Sequence, residues 1–290
     1  MLKKMMVFTV LLLLAVPVSA AQQEPQAMKV HFIDVGQGDS TLIETPGGKT
    51  VLIDGGMPKG GEKVRAYLKQ AGIKRIDLLI ASHPDMDHIG GLLPILNEIK
   101  IGRILDSGKL HSTMIYQRYL ELIRKKGIPF EIAVQDDFIQ VDPSITLQVL
   151  NAYDRDKENN NEASIVLKLS YKKTSFLLMA DAEIEQEKGM LKQYDLEADI
   201  LKVGHHGSKT STSFGFLQAV QPKAAILTYH KYNRFGHPVS RVVRNLWRVD
   251  ADIYSTAVFG DIVVQTNGDY FFIMPTKSPL DQLTRKKTGS

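Results

Sequence analysis

The chain has 290 residues, of which 36 are Lys or Arg and 32 are Asp or Glu, and it contains no cysteine. A disulfide scaffold, a Cys-ligated zinc and a thiol nucleophile are therefore excluded. Residues 1–20 hold two of the lysines, so the chain beyond them has 34 basic and 32 acidic residues. This near neutrality argues against a broad nucleic-acid-binding surface, and any contact with phosphates must be local.

The first 20 residues have the pattern of a secretory signal peptide. Lys3 and Lys4 form the positive start, residues 5–16 the apolar stretch, and residues 18–20 (Val-Ser-Ala) the cleavage site. The apolar stretch is short for a membrane span, and a retained N-terminal anchor is the alternative. We therefore expect a secreted, extracytoplasmic protein that begins near Ala21 and has no stable membrane span after cleavage.

After a linker over residues 21–27, hydrophobic periodicity continues without a domain boundary from Met28 to Pro275. Predicted strands cover residues 28–35, 40–45, 50–53, 76–81, 104–106, 130–134, 139–141, 145–150, 164–171, 175–179, 200–203, 224–229 and 253–271. Predicted helices cover residues 62–70, 92–96, 114–126, 182–193, 214–220 and 239–247. Strand-rich blocks alternate with helices twice, which predicts a single α/β (α+β) domain of two packed sheets with helices outside. Residues 276–290 are expected to be a disordered basic tail.

The stretch Ser82 to Gly91 (SHPDMDHIGG) directly follows a predicted buried strand. His83, Asp85, Asp87 and His88 place two imidazoles and two carboxylates within six residues. This mixture of ligands is preferred by Zn, Mn or Fe at hydrolytic centres. The alternative is a polar turn in which an aspartate caps the next helix, but that would leave both histidines without a role.

Further polar residues follow other predicted strands, where strand ends converge on one cleft. They are Asp34, Asp39, Asp54, Asp181, His205, His206, His230 and His237. Asp39 is interpreted as stabilising the tight turn that Gly36 and Gly38 indicate.

Seven motifs carry a resemblance to a known family: FIDVGQGDS (32–40), LIDGG (52–56), SHPDMDHIGGL (82–92), NEAS (161–164), LLMADAE (177–183), LKVGHHGS (201–208) and FGHP (235–238). They resemble the metallo-β-lactamase superfamily, and within it the extracytoplasmic hydrolase domain of ComEC-type competence proteins. The resemblance covers residues 28 to about 275. It implies an αββα metallo-β-lactamase-like sandwich and a metal-dependent hydrolase with two divalent metal ions (Zn or Mn) at one edge of the sheets.

The resemblance also implies a role for individual residues, carried over by position. The first metal would be bound by His83 and Asp85, the second by Asp87, His88 and His205, with Asp181 as the bridge and Asp54 as a supporting carboxylate. Asp85 stands where many members have a histidine, and Asn161 and Ser164 stand where another histidine is expected. Both departures replace imidazole by oxygen, which shifts the preference from Zn toward Mn, Mg or Fe. A decayed site that binds no metal is the alternative.

The candidate catalytic residues are Asp87, His206 and His237. His206 either contacts phosphate or packs beneath the loop, and His237 either protonates a leaving oxygen or is structural. Ser208 begins a hydroxyl-rich stretch that suits an anion, although an ordinary helix cap by Ser213 would explain it equally. Tyr229, Tyr232 and Phe235 either stack on bases or pack within the protein.

Three functions remain open from sequence. The first is a secreted phosphodiesterase or nuclease that acts on single-stranded nucleic acid or a small phosphodiester through a metal-activated water. The second is another hydrolase of this fold, with a lactone, thioester, lactam or cell-wall phosphoester as substrate. The third is a non-catalytic binding module.

Overall fold

The computed structural model describes residues 27–154 and 159–279 of the chain. The strands in this part are β1 Met28–Phe32, β2 Thr41–Glu44, β3 Thr50–Ile53, β4 Arg75–Ala81, β5 Lys100–Asp106, β6 Phe130–Ile132, β7 Thr146–Asn151, β8 Val166–Tyr171, β9 Thr174–Leu178, β10 Ile200–Lys202, β11 Ala224–Leu227, β12 Asp252–Ser255, β13 Ile262–Thr266 and β14 Phe271–Pro275. The helices are α1 Pro58–Gln70, α2 Met86–Ile89, α3 Leu92–Glu98, α4 Met114–Lys126, α5 Ile184–Gln193, α6 Phe214–Val220, α7 Ser240–Arg248 and α8 Thr256–Phe259. None of the helices described is long and apolar enough to cross a membrane.

The strands form two mixed sheets. The first sheet has the order β14-β13-β1-β2-β3-β4-β5-β6, and the second has the order β12-β11-β10-β9-β8-β7. Strands β3 to β6 run parallel in the first sheet, as do β9 to β12 in the second. Such parallel strands present their C-terminal ends at one edge of each sheet, which is where ligand sites form.

Three hydrophobic layers hold the sandwich together. Between the sheets, Phe32 and Ile80 of the first sheet share a buried cluster with Phe176 of the second. On the outer face of the first sheet, α1, α3 and α4 bury side chains such as Tyr119 of α4. On the outer face of the second, α5, α6 and α7 contribute side chains such as Phe216 of α6. The predicted αββα sandwich is therefore confirmed.

Some predicted elements differ from those observed. Residues 139–141 do not form a named strand, and the chain near them makes only an isolated bridge between Phe138 and Gln148. The predicted strand block over residues 253–271 is interrupted by α8. The predicted tail begins at Thr276, yet the N–H groups of Thr276 and Lys277 still donate to carbonyls of Asp261 and Phe259. The signal peptide, most of the linker and residues 280–290 lie outside the described residues.

Candidate metal centre

The loop after β4 supplies the first group of polar side chains. His83 and His88 are 1% and 0% exposed, so both imidazoles are inside the protein. Asp85 stands at the N-cap of α2 but makes no side-chain capping hydrogen bond there. The capping alternative therefore does not explain this loop.

Asp54, in the turn after β3, orients this loop through hydrogen bonds to Ser82 and His88. Its Oδ1 accepts a hydrogen bond from the Ser82 N–H (2.9 Å), and its Oδ2 accepts one from the Ser82 hydroxyl (2.6 Å). The same Oδ2 lies 2.8 Å from Nδ1 of His88. A carboxylate at Nδ1 leaves Nε2 as the free ring nitrogen of His88, which is the usual arrangement behind a metal-bound histidine.

Asp181 lies at the centre of the cluster. It follows β9, is 3% exposed, and its N–H donates to the hydroxyl of Ser164 (3.2 Å). Its carboxylate oxygens lie 3.3 to 4.0 Å from Nε2 of four imidazoles, those of His83, His88, His205 and His206. This position suits the predicted bridging role.

His206, rather than His205, belongs to the buried set of donors. Nε2 of His206 lies 3.4 Å from both Asp87 and Asp181, and the residue is 1% exposed. Nε2 of His205 is 3.7 Å from Asp181, its side chain is 21% exposed, and its Nδ1 is 3.3 Å from Glu183. This placement differs from the sequence-based assignment of His205 as the second-metal ligand. It also places His206 in the cluster rather than in contact with phosphate.

The donor atoms fit a metal ion. Within the described residues, Nε2 of His83, His88 and His206 and Oδ1 of Asp181 are buried without a hydrogen-bond partner. Buried polar atoms are rarely left unpaired, so each needs an explanation. Three sets of three donors fall within metal-binding distance of one another: His83, His88 and Asp181; Asp87, His88 and His206; and Asp39, Asp181 and His206. The arrangement matches a divalent-metal centre built from imidazole and carboxylate.

The charged groups in the cluster stabilise one another. Burial would raise the pKa of Asp181, but the adjacent His206 and His88 hold it well below its usual value. Burial would lower the pKa of His88 and His206, but Asp181 raises both well above the ordinary value. Since a metal ion binds neutral imidazole, binding here must displace protons.

A buried ion pair supports His206 from behind. Asp39 and Lys202 are 5% and 2% exposed, and Lys202 Nζ lies 2.8 Å from Asp39 Oδ2. Thr228 donates its hydroxyl to Oδ1 of Asp39, and its carbonyl oxygen lies 2.8 Å from Nδ1 of His206. Nδ1 of His206 is also 3.4 Å from Asp39. Asp39 therefore does more than stabilise a turn, because it and Thr228 fix the His206 ring with Nε2 toward the cluster.

The region where a further histidine was expected contains asparagines. Asn160 donates to Oδ1 of Asp85 (2.6 Å), whose Oδ2 lies 3.7 Å from Nε2 of His83. Asn161 instead donates to Glu183 (3.1 Å), on the side of His205. The residue that contacts the Asp85 side of the cluster is thus Asn160, which the sequence did not single out.

The hydroxyl-rich stretch after His206 makes hydrogen bonds within the protein. The N–H groups of Thr212 and Ser213 donate to the carboxylate of Glu187, which is 0% exposed. The Ser213 hydroxyl accepts from Phe216 N–H as the cap of α6, and Ser208 pairs with Thr210. The ordinary helix-cap interpretation of Ser213 is therefore confirmed.

His237 lies at the rim of the cluster. Its ring centre is 5.6 Å from that of His205 and 6.2 Å from that of His206, and its Nδ1 is buried without a partner among the described residues. Burial, with His206 and His205 nearby, lowers the pKa of His237 to about 4. The imidazole is therefore neutral at neutral pH.

Comparison with known proteins decides the family. Residues 33–229 match the model of the metallo-beta-lactamase superfamily. The chain belongs to this superfamily. The superfamily and the αββα fold predicted from sequence are thus confirmed. Membership in a superfamily of metal-dependent hydrolases is confirmed with them.

Two curated relatives each match about four fifths of this chain. ComE operon protein 3 of Bacillus subtilis (strain 168) is 34% identical over 252 residues, which is 81% of this chain and 32% of that protein. Recombination protein 2 of Haemophilus influenzae is 31% identical over 244 residues, which is 81% of this chain and 28% of that protein. The chain spans about a third of the length of these relatives.

Solved structures share the metallo-beta-lactamase fold with this chain. The metallo-beta-lactamase fold protein YhfI from Bacillus subtilis superposes with a TM-score of 0.58 at 14% identity, over 83% of this chain and 100% of that chain. CmlA, a diiron β-hydroxylase from Streptomyces venezuelae, has a TM-score of 0.56 at 13% identity, over 83% of this chain and 55% of that chain. Identities this low show a common fold alone.

Proposed function

We propose that this chain is a metal-dependent phosphodiesterase that cleaves single-stranded nucleic acid or short phosphodiesters outside the cytoplasm. The observation that carries the metal dependence is the set of buried, unpaired imidazole nitrogens around Asp181. The phosphodiester class is supported by the similarity of this chain to Recombination protein 2, whose name refers to DNA processing, and to ComE operon protein 3. Two exposed cations in the loop that leads to His237, Lys231 and Arg234, also favour an anionic substrate.

In this proposal the donors divide into two groups that share Asp181. His83 and Asp85 lie on one side, and Asp87, His88 and His206 lie on the other. When bound in such a site, a pair of divalent ions lowers the pKa of a water molecule and neutralises charge on phosphate oxygens. The oxygen ligand Asp85, hydrogen-bonded to Asn160, favours Mn over Zn.

The surrounding residues hold these donors in place and meet the substrate. Asp54 fixes the ring of His88, and Asp39 with Thr228 fixes that of His206. His237 is half-buried at the rim, so we place its imidazole beside the substrate, where it would hydrogen-bond an oxygen, including that of the leaving group. A neutral imidazole can serve as donor or acceptor there.

The test compares substrates and metals on one protein preparation. The chelated protein is reloaded with Mn or Zn and assayed on a single-stranded oligonucleotide, a long duplex, a thioester, a lactone and a lactam. We expect metal-dependent cleavage of the single strand, faster with Mn, and loss of all turnover in Asp181→Ala. Hydrolysis of the thioester, lactone or lactam with no cleavage of any phosphodiester would overturn the proposal.

Export is a separate part of the proposal, and it is based on residues 1–20. Expression of the full chain in a bacterial host followed by N-terminal sequencing of the periplasmic or medium fraction tests it. We expect the mature chain to begin near Ala21. A cell-associated protein that retains Met1 would show an anchor instead.

A further inference from the structure

The loop after β11 exposes two aromatic rings. Tyr232 is 81% exposed and Phe235 is 53% exposed. Each ring has a cation beside it: Lys231 Nζ lies 5.6 Å from the ring centre of Tyr232, and Arg234 Cζ lies 5.1 Å from that of Phe235. We call residues 230–237 the aromatic loop.

The aromatic loop leads directly from the donor cluster to solvent. The ring of Phe235 stacks on His237, with centres 5.5 Å apart and planes inclined by 23°. The ring of His237 in turn lies 6.2 Å from His206, with planes inclined by 25°. Because His206 is among the buried donors, Phe235 lies only two rings away from the candidate reaction site.

The side chain of Asn233 makes four of the hydrogen bonds that hold the loop in this conformation. Nδ2 of Asn233 donates to the carbonyls of His230 (2.8 Å) and His237 (2.7 Å). Oδ1 of Asn233 accepts from the N–H groups of Phe235 (3.1 Å) and His237 (2.9 Å). Both ends of the loop are therefore tied together while its aromatic rings stay exposed. A preorganised surface of this kind loses less conformational freedom when a ligand binds.

We propose that the aromatic loop is a nucleobase-binding subsite of the active site. Bases of a single strand stack on Phe235 and Tyr232, and the adjacent phosphates contact Arg234 and Lys231. Aromatic rings alternating with cations are the combination by which proteins hold single strands without sequence preference. In a duplex both faces of each base are already stacked, so the subsite selects single strands. The inference rests on the proposed function and identifies which part of the substrate it recognises.

The test measures binding separately from cleavage. Metal-loaded full-length protein is titrated with a fluorescent thymidine decamer that has phosphorothioate linkages, and with an abasic decamer of the same linkage and charge. We expect the wild type to bind the thymidine strand at least about tenfold more tightly than the abasic strand. Phe235→Leu and Tyr232→Leu should each weaken thymidine binding by about 5- to 100-fold, with abasic binding changed by less than about twofold.

Matched control variants are available on the far edge of the first sheet. Phe272, in β14, is 68% exposed, and Tyr270, in the preceding turn, is 70% exposed. Phe272→Leu and Tyr270→Leu remove rings of similar exposure from outside the aromatic loop. Neither should change binding of the thymidine strand.

The outcomes separate the subsite from the proposed function. Equal weakening for the thymidine and abasic strands, or no preference in the wild type, would overturn the subsite. If the wild type cleaved no unmodified strand but bound as expected, the subsite would stand and the phosphodiesterase proposal would fail. If it cleaved strands while Phe235→Leu and Tyr232→Leu bound and cleaved like the wild type, the subsite alone would fail.

Discussion

Lys202 on β10 neutralises the carboxylate of Asp39, which is buried next to the cluster of candidate metal donors. Lys202 has no solvent to stabilise its charge, so its pairing with Asp39 must do so. The same ion pair explains why Asp39, although close to His206, is better placed as a support than as a metal ligand. Its charge is already matched, and its Oδ1 accepts the hydroxyl of Thr228.

We predict that Lys202→Met destabilises the protein by about 3–5 kcal/mol, because it leaves the Asp39 carboxylate buried and unpaired. The double variant Asp39→Asn with Lys202→Met should recover most of that loss, since no unpaired charge remains. Urea unfolding monitored by circular dichroism gives both free energies. Equal stability of the single variant and the wild type would contradict the buried-pair interpretation.

The adjacent histidines offer a second test. His206→Ala should reduce the bound metal by about one ion per chain after dialysis, because its Nε2 lies between Asp87 and Asp181. His205→Ala should keep the wild-type metal content, because its ring faces Glu183 at the edge of the cluster. Elemental analysis of both proteins decides the matter. Metal loss from His205→Ala alone would restore the sequence-based assignment.

The sequence could predict which strand ends carry the polar side chains of this cluster but not choose between these two histidines. His83, Asp85, Asp87, His88 and Asp181 all lie where strand ends predicted them, at the edge where the parallel strands finish. His205 and His206 both adopt left-handed backbone conformations, with φ of 48° and 54°. That backbone geometry and the contact of His206 with Thr228 decide which ring points inward. Neither can be predicted from the sequence.

At the level of elements, a pair of glycines determines how closely α1 packs on the loop before α3. A Cβ at Gly61 would lie 2.3 Å from the carbonyl oxygen of Gly91. Because that oxygen belongs to the backbone, it cannot easily move away. This close approach also explains a boundary that the sequence missed. Helix periodicity predicted a start at residue 62, whereas α1 begins at Pro58. Its first turn contains Gly60 and Gly61, which have low helix propensity but allow the close packing.

Gly61→Ala should therefore destabilise the protein by about 1–3 kcal/mol, the usual range for overpacking a tight contact. Gly189→Ala in α5 is the matched control, because a Cβ there meets nothing within 4 Å. That change should stabilise the protein by up to about 1 kcal/mol. Thermal unfolding of the two variants measures the difference, and a neutral Gly61→Ala would show that the helix can shift away.

The contact between β5 and α4 should make stability depend on pH. Burial raises the pKa of Asp106 to about 6, although the N–H of Gly108 and the hydroxyl of Tyr119 donate to its carboxylate. In the unfolded chain this carboxyl ionises near pH 4. The folded form therefore keeps the proton to a higher pH than the unfolded chain does. The free energy of unfolding consequently falls as the pH rises from about 4 to 6.

We predict that Asp106→Asn removes this penalty and is more stable than the wild type at pH 7 by roughly 2–3 kcal/mol. An asparagine can still accept from Gly108 and donate to Tyr119. Urea unfolding at pH 4, 5, 6 and 7 should give a flatter profile for this variant. Asp252→Asn, at an exposed position, is the control. An unchanged pH profile in Asp106→Asn would show that another group causes the pH dependence.

At the scale of the whole molecule, the fold was predictable because its pattern repeats. Each half alternates apolar strands with amphipathic helices, and each sheet can cover its outer face only with its own helices. The structural role of Lys202 was not predictable, because a buried lysine between apolar strand residues has no sequence signal of its own. The same holds for Asn160, which contacts Asp85 across 75 positions of the chain.

Net charge over the whole molecule limits how nucleic acid can bind. The chain beyond residue 20 has only two more basic than acidic residues, and Arg285, Lys286 and Lys287 lie in the final segment. If Lys231 and Arg234 make the main phosphate contacts, about two phosphates of a single strand are neutralised on binding. The logarithm of the binding constant should then fall with the logarithm of salt concentration with a slope of about −1.4.

Titration of a fluorescent thymidine decamer at several salt concentrations gives this slope. A variant that ends at residue 279 should keep the slope, because the expected contacts are in the aromatic loop and not in the final basic segment. Lys231→Gln and Arg234→Gln should each reduce the slope by about 0.7. A slope steeper than about −4, or one that collapses when residues 280–290 are removed, would place the main phosphate contacts elsewhere on the molecule.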